Sequence, residues 1–498
     1  MAPERLLGTR PRDSELPEPR RNRLLRLVDW RFLLDGPERP RVIDLTPGWD
    51  SEALRLVSGP AGPGEADLAL VGFPTAAVLR SARDALAPGG AVVCRWRLPR
   101  LAGAQRARRR LRRAGFEAPR LYWAGPVPHR PPQFWLPLDS APAAGHVLDS
   151  RPARSSAGVG LRRLWRTAER LGLLAPLYAV ARAPGGEGAG AAEPLLLLTG
   201  GHRSINKVVA LDFDPETGRP RGARKIARVE EAEPGLRREA DVLEWLAGEA
   251  LAGEGFPAPR GRGRRGGRLA VAESVIEGDP MLDRLTPLSF EEMARRVTDL
   301  LVELAARRRE PESGWRQRSI ELPLADFQAA FGAVVSAADR ARLRAALGEI
   351  AELPRVCEHR DCSPWNLVLA ARDRPALLDW ESAEPDGLPL LDLVYFLANA
   401  AFVLDGALEA GTTRQSYARL LDPATAHGRV AAEAIERYRQ ALRLDPADVP
   451  RLRLLCWLVH CRSDYRHLRL EVAGEPSERA LRGAPFLGLV EEELGRLP

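Results

Sequence analysis

The segment from Cys357 to Glu381, CEHRDCSPWNLVLAARDRPALLDWE, constrains this chain more than any other. It holds His359, Asp361 and Asn366, then Asp379 after an apolar run. The Asp361 to Asn366 spacing suits a single loop that points a carboxylate at an acceptor and an amide oxygen at a metal. Apolar runs around Leu367 and Leu377 predict two short strands, with Asp379 at the end of a hairpin facing that loop. Phosphoryl transfer from ATP needs such a set: a carboxylate near the acceptor hydroxyl, and oxygen ligands that hold Mg²⁺ against the phosphates. With seven His and only four Asn in the chain, His-x-Asp-x4-Asn arises by chance about 0.003 times. His359 is expected to brace the loop rather than react, and Cys362 to be filler.

This segment resembles the catalytic core of the aminoglycoside phosphotransferase and choline kinase-like family, with Trp380 following Asp379 and Pro389 to Leu393 (PLLDL) as the later family element. The resemblance spans about residues 194–498 and implies a two-lobe α+β protein-kinase-like domain. It implies that Asp361 is the catalytic base, that Asn366 and Asp379 hold Mg²⁺, and that Asp392 supports the loop with His359. It also implies an ATP site upstream. Leu195 to Phe213 reads as strand, turn, strand, with Gly200 and Gly201 letting backbone amides approach phosphate. Arg221 to Val229 reads as a third strand carrying Lys225, the family's phosphate clamp, with Glu239 on the next helix as its partner. Glu273 to Ile276, including Val275, is expected to form the hinge that meets adenine. Asp379 and Asp392 are too close together for a peptide-docking platform, so a small hydroxylated molecule is the expected acceptor.

The N-terminal part has a different texture. Residues 1–24 are Pro- and Arg-rich and read as a mobile tail. Arg41 to Leu45, Asp67 to Gly72 and Gly90 to Trp96 are short β-branched runs alternating with helix-like segments, which argues for a parallel sheet. A Pro-studded stretch from Pro126 to Arg154 interrupts the pattern, a helix is expected over Leu161 to Leu171, and Leu177 to Arg182 closes the unit. Residues 25–182 resemble a class I methyltransferase and are expected to form an α/β Rossmann-like, truncated domain. The turn Thr46-Pro47-Gly48-Trp49 has one glycine and an obstructing Trp where that family has a Gly-rich cofactor loop, so a docking or scaffold role, with a possible protein partner, is expected. Residues 183–193 are flexible by composition and mark the expected boundary.

Composition matters in one respect. The chain of 498 residues carries 74 Lys and Arg against 67 Asp and Glu, yet Lys occurs only at 207 and 225. Arginine is therefore background, and the basic charge does not call for a nucleic-acid partner; the Arg-rich helix Gln105 to Arg113 and the patch Arg260 to Arg268 read as solvated, the latter as a hairpin turn. Lys225 is the informative exception, because a guanidinium does not replace a compact ammonium in a tight phosphate site. The longest apolar run, Leu393 to Leu404, is too short for a bilayer and reads as a buried helix. No signal-peptide pattern is visible, so a cytoplasmic protein is expected, and five cysteines without a Cys-x-x-Cys pair read as structural thiols. The alternative to a kinase is a catalytically silent nucleotide-binding scaffold in a biosynthetic complex.

Overall fold

The computed structural model describes residues 16–497 except 47–48, 63, 97–102, 126–130, 141, 144, 147–177, 186–194, 202, 250–254, 308–313, 351 and 473. The chain divides into two compact units, 1–236 with 260–275, and 237–259 with 276–498.

The first unit is built on one twelve-stranded sheet. Its parallel part comprises β1 (Arg41–Asp44), β2 (Gly59–Pro60), β3 (Ala66–Val71) and β4 (Leu86–Arg95), with β2 and β3 on either side of β1 and β4 beside β3. Ala69, Leu70, Val92 and Val93 are fully buried, the pattern of strands covered on both faces. The helices between them start on side-chain caps: Asp50 accepts from the amides of Glu52 and Ala53 at Ser51–Val57, and Thr75 accepts from Val78 at Ala76–Ala85. The Arg-rich helix Gly103–Arg113 turns Ala107 and Leu111 inward, so its arginines do not ring it completely.

Beyond β4 the sheet continues antiparallel through β7 (Tyr178–Arg182), β5 (Glu117–Gly125) and β6 (Phe134–Pro137). It does not end there. β6 pairs with β8 (Leu196–Leu198), matching Phe134 to Leu198 and Trp135 to Leu197, and the sheet runs on through β9 (Val208–Phe213), β10 (Pro220–Ile226), β12 (Arg268–Ser274) and β11 (Pro259–Arg265). Strands on both sides of residues 183–193 thus share one ladder.

Three sequence expectations change here. Residues 18–24 are not part of a mobile tail, because α1 (Glu18–Leu27) is a helix that buries Leu24 and Leu25. The Pro-studded stretch contains β6, whose Phe134 and Trp135 are buried. The Gly/Arg patch is exposed along β11 but not at its turn: Arg265 bonds the carbonyl of Leu33 at 3.2 Å, and a Cβ on Gly267 (φ +75°) would sit 2.0 Å from Glu38 Cα. The helix expected at Leu161 to Leu171 lies outside the described residues.

The second unit is mostly helical. Its core surrounds α2 (Leu391–Leu404), which is apolar on nearly all faces, as the run between Asp392 and Asp405 predicts. Packed around it are α3 (Phe290–Ala305), α4 (Ala426–Leu442) and α5 (Asp448–Val472), with Val297, Leu454 and Trp457 fully buried. Two small sheets hold the loops: β14 (Val356–Glu358) with β17 (Glu384–Gly387), and β15 (Leu367–Leu369) between β13 (Asp279–Pro280) and β16 (Pro375–Leu377). Among the described residues no helix is long and apolar enough to cross a membrane.

Removing residues 1–193 strips β8 of its β6 partner and opens an apolar edge at Leu196 to Leu198. The fragment 194–498 is expected to aggregate on expression, whereas a soluble fragment with a cooperative thermal transition would contradict this role for the pairing.

Candidate functional site

In the second unit the chain leaves β14 and enters a loop fixed by one carboxylate. Asp392, in the first turn of α2, accepts the amides of His359 at 2.6 Å and Arg360 at 2.8 Å. Burial pushes the Asp392 carboxyl well up from its usual range, and the neighbouring Glu358 carboxylate adds to this, while the two amides and Arg360 pull it down. Glu358 is raised in the same sense, chiefly by burial. The Arg360 guanidinium lies between acids, 3.4 Å from Glu358 and 3.7 Å from Glu384.

His359 braces the loop with its ring. The Asp361 amide donates to His359 Nδ1 at 3.2 Å, so Nε2 carries the proton and donates to the Leu378 carbonyl at 3.0 Å. The ring is fully buried and meets Trp380 edge to face at 4.6 Å. Asn366 follows on a short 3-10 turn, and its Nδ2 donates to the Asp361 carbonyl at 3.0 Å and to Asp361 Oδ2 at 2.8 Å. This fixes the Asp361 carboxylate and turns the Asn366 Oδ1 away from it. The register Leu367 to Leu377 puts Asn366 opposite Leu378, whose amide donates to the Asn366 carbonyl at 2.9 Å, with Asp379 next in the chain. Glu239 accepts the Trp380 amide at 3.0 Å and is fully buried, tying down the residue after Asp379.

Asp361, Asn366 and Asp379 are thus set by one loop and one hairpin. A carboxylate and an amide oxygen are hard donors, the set that suits a magnesium ion with its waters. Arg360 (φ +63°), Asp379 (φ +71°) and Leu390 (φ +74°) all have left-handed backbones. Non-glycine residues held so cost about 1–3 kcal/mol each, and such strain collects where a side chain must be aimed.

In the first unit, Lys225 projects from the middle of β10, with its Nζ 3.0 Å from Glu273 Oε1 on β12. Both are largely buried. Glu273, expected within the hinge segment, places its side chain as a counter-ion for the lysine, two residues along from the Lys225 to Val271 pair. The glycines occupy the β8 to β9 turn. Gly201 has φ +103°, and a Cβ there would meet the Asn206 side chain at 2.7 Å, so the second glycine is required by space as well as by conformation.

Residues 216–432 match the phosphotransferase enzyme family, which makes that region a phosphotransferase-family domain and the protein an enzyme of the small-molecule kinase type. The matched region accordingly has a protein-kinase-like fold. No curated protein matches the chain. Among solved structures, an aminoglycoside phosphotransferase of Streptomyces rimosus is similar at 16% identity and a TM-score of 0.34, over 51% of this chain and 89% of that one. The same enzyme with ADP and streptomycin bound gives 17% and 0.34, over 51% and 90%. A choline kinase of Streptococcus pneumoniae gives 14% and 0.36, over 59% and 90%.

All five cysteines are buried, and burial raises the Cys362 thiol well above its ordinary range, with Asp392 and Asp361 adding to the effect. A thiol reagent at pH 8 is expected to modify none of them in the native protein and all five in denaturant. Rapid native labelling of Cys362 would show that the loop opens.

Proposed function

We propose that the protein is an ATP- and Mg²⁺-dependent phosphotransferase that moves the γ-phosphate to a hydroxyl of a small polar molecule, such as an aminoglycoside-like sugar or a biosynthetic precursor. The observation that carries this is the Asn366 bridge: its amide nitrogen orients the Asp361 carboxylate, and the hairpin that sets Asn366 opposite Leu378 brings Asp379 in next along the chain. Asp361 orients the acceptor hydroxyl and takes its proton as the acceptor oxygen bonds to phosphorus and the bond from phosphorus to the ADP oxygen breaks. Asn366 and Asp379 would hold magnesium, which when bound neutralises charge on the triphosphate. Lys225 binds the phosphates, with Glu273 fixing the direction of its ammonium. Gly200 and Gly201 supply amides, Val275 lies at the hinge, and Glu239 and Asp392 keep the strained backbone in place.

Residues 25–182 are, in this reading, a methyltransferase-like remnant without catalysis. Trp49 supports it: the indole packs against Trp30 at 5.6 Å and Tyr178 at 6.2 Å and fills space beside the turn after β1. The domain then serves as a scaffold and a possible docking site for a protein partner.

Asp361→Ala is expected to lower kcat by about 10²–10⁴-fold with nucleotide affinity unchanged, as seen by a coupled ADP assay across hydroxylated metabolites and by calorimetry. MgATP binding without turnover for any acceptor, together with a co-purifying partner, would replace the enzyme by a nucleotide-binding scaffold. Of the two lysines, Lys225→Arg should weaken MgATP binding at least tenfold and Lys207→Arg less than twofold. Equal losses would remove the special role given to Lys225.

A further inference from the structure

The turn between β8 and β9 is held by Arg228 and by residues from far earlier in the chain. The Arg228 guanidinium, 1% exposed, lies beneath it and donates to four of its carbonyls: Thr199 at 3.1 Å, Gly200 at 3.3 Å, Asn206 at 3.1 Å and Arg203 at 3.4 Å. Asp29, fully buried, neutralises that guanidinium, accepting from Nε at 3.2 Å and lying 3.1 Å from Nη2. Arg26 donates to the Gly201 carbonyl at 3.3 Å. Glu18, in the first turn of α1, accepts the Ser204 amide with one oxygen and the Ser204 hydroxyl at 2.8 Å with the other.

These contacts have a direction. A peptide unit is planar, and its N–H points opposite to its C=O. Drawing the Thr199 and Gly200 carbonyls down onto Arg228 therefore turns the amides of Gly200 and Gly201 outward. The Arg203 carbonyl is drawn down in the same way, and the Ser204 amide that it turns out is the one Glu18 takes up. The turn thus has a carbonyl face closed by cations and an amide face on which the glycines are the residues without side chains. A loop of this kind presents amides to an anion without paying for ordering at the moment of binding. Only a planar fork of five donors can gather carbonyls from both sides of the turn while keeping a bidentate carboxylate; an ammonium cannot.

We propose that Arg228 with Asp29, and Glu18 with Arg26, are positioning residues for the nucleotide's phosphates: they hold the turn 199–206 with the Gly200 and Gly201 amides aimed outward. This rests on the reading of that turn as the phosphate loop. Helix α1 is then a working part of the nucleotide site, and none of its residues belongs to the catalytic loop.

The full-length protein tests this. Binding of MgATP and of adenosine is measured by calorimetry for wild type, Arg228→Lys, Glu18→Ala and Glu18→Gln, with the apparent KM for ATP and kcat followed once an acceptor is known. The expected result is a rise of about tenfold in the Kd for MgATP in Arg228→Lys and Glu18→Ala, with adenosine affinity within twofold of wild type. Glu18→Gln, which keeps an acceptor for Ser204, should recover part of the loss. KM for ATP should rise with kcat nearly constant. If Arg228→Lys does not fold, Glu18→Ala decides alone. Unchanged MgATP affinity in the folded variants, or an equal loss for adenosine, overturns the proposal. Wild type that binds adenosine but not MgATP overturns the phosphate-loop reading itself, and wild type that binds neither overturns the phosphotransferase.

Discussion

Two residue pairs, Phe134 with Leu198 and Trp135 with Leu197, join what composition divides. The ladder is short, but Phe134, Trp135 and Leu197 are buried and Leu198 is partly so, and each large apolar side chain fully withdrawn from water contributes about 1.5–3 kcal/mol. Because the parallel strands end in the antiparallel β7, β5 and β6, the sheet reaches β8 without an exposed edge. The strand that carries Lys225 therefore belongs to a structure whose far side is built from residues before 100. Anchoring Lys225 in so broad a sheet restricts its direction more than a five-stranded sheet with a free edge would.

The loop that follows β14 is organised by a different constraint. Asp392 accepts two amides from a buried position, and its charge is costly there; Glu358, close by, makes it costlier. Arg360 is the compensation. It stands between Glu358 and Glu384 and turns a cluster of like charges into an alternating one. The left-handed backbone at Arg360 is what brings its side chain to the acids while its amide reaches Asp392. Loop shape and charge balance are consequently one problem, solved by a single residue.

The legible parts of the chain were those whose partners lie close in sequence. His359, Asp361, Asn366 and Asp379 could be read because one loop and one hairpin contain them all, and Leu367 to Leu377 pairing follows from two apolar runs. The core strands of the first unit were legible from β-branched runs bounded by glycine and proline. Distant partners were not. Arg228 and Asp29 are 199 residues apart, and in a chain where nearly every basic residue is arginine nothing marks Arg228 out. The ion pair of Glu273 with Lys225 is hidden for a similar reason: it depends on the register between β10 and β12, which sets Lys225 beside Val271 and Glu273 beside Ala223 and which hydrophobic pattern alone does not fix. Prolines concealed both α1 and β6. Pro19 sits at the start of a helix, where its missing N–H costs nothing, and Pro137 ends a strand of four residues.

Hairpin turns are ordinarily where a protein family varies most cheaply in length. The turn of β11 and β12 is closed to that freedom, because Gly267 lies against the backbone of Glu38 with no room for a methyl group. Five exposed residues of β11 remain free to drift in composition. The turn itself and the segment 32–38 can change only together, so their lengths are expected to have been inherited as a matched pair.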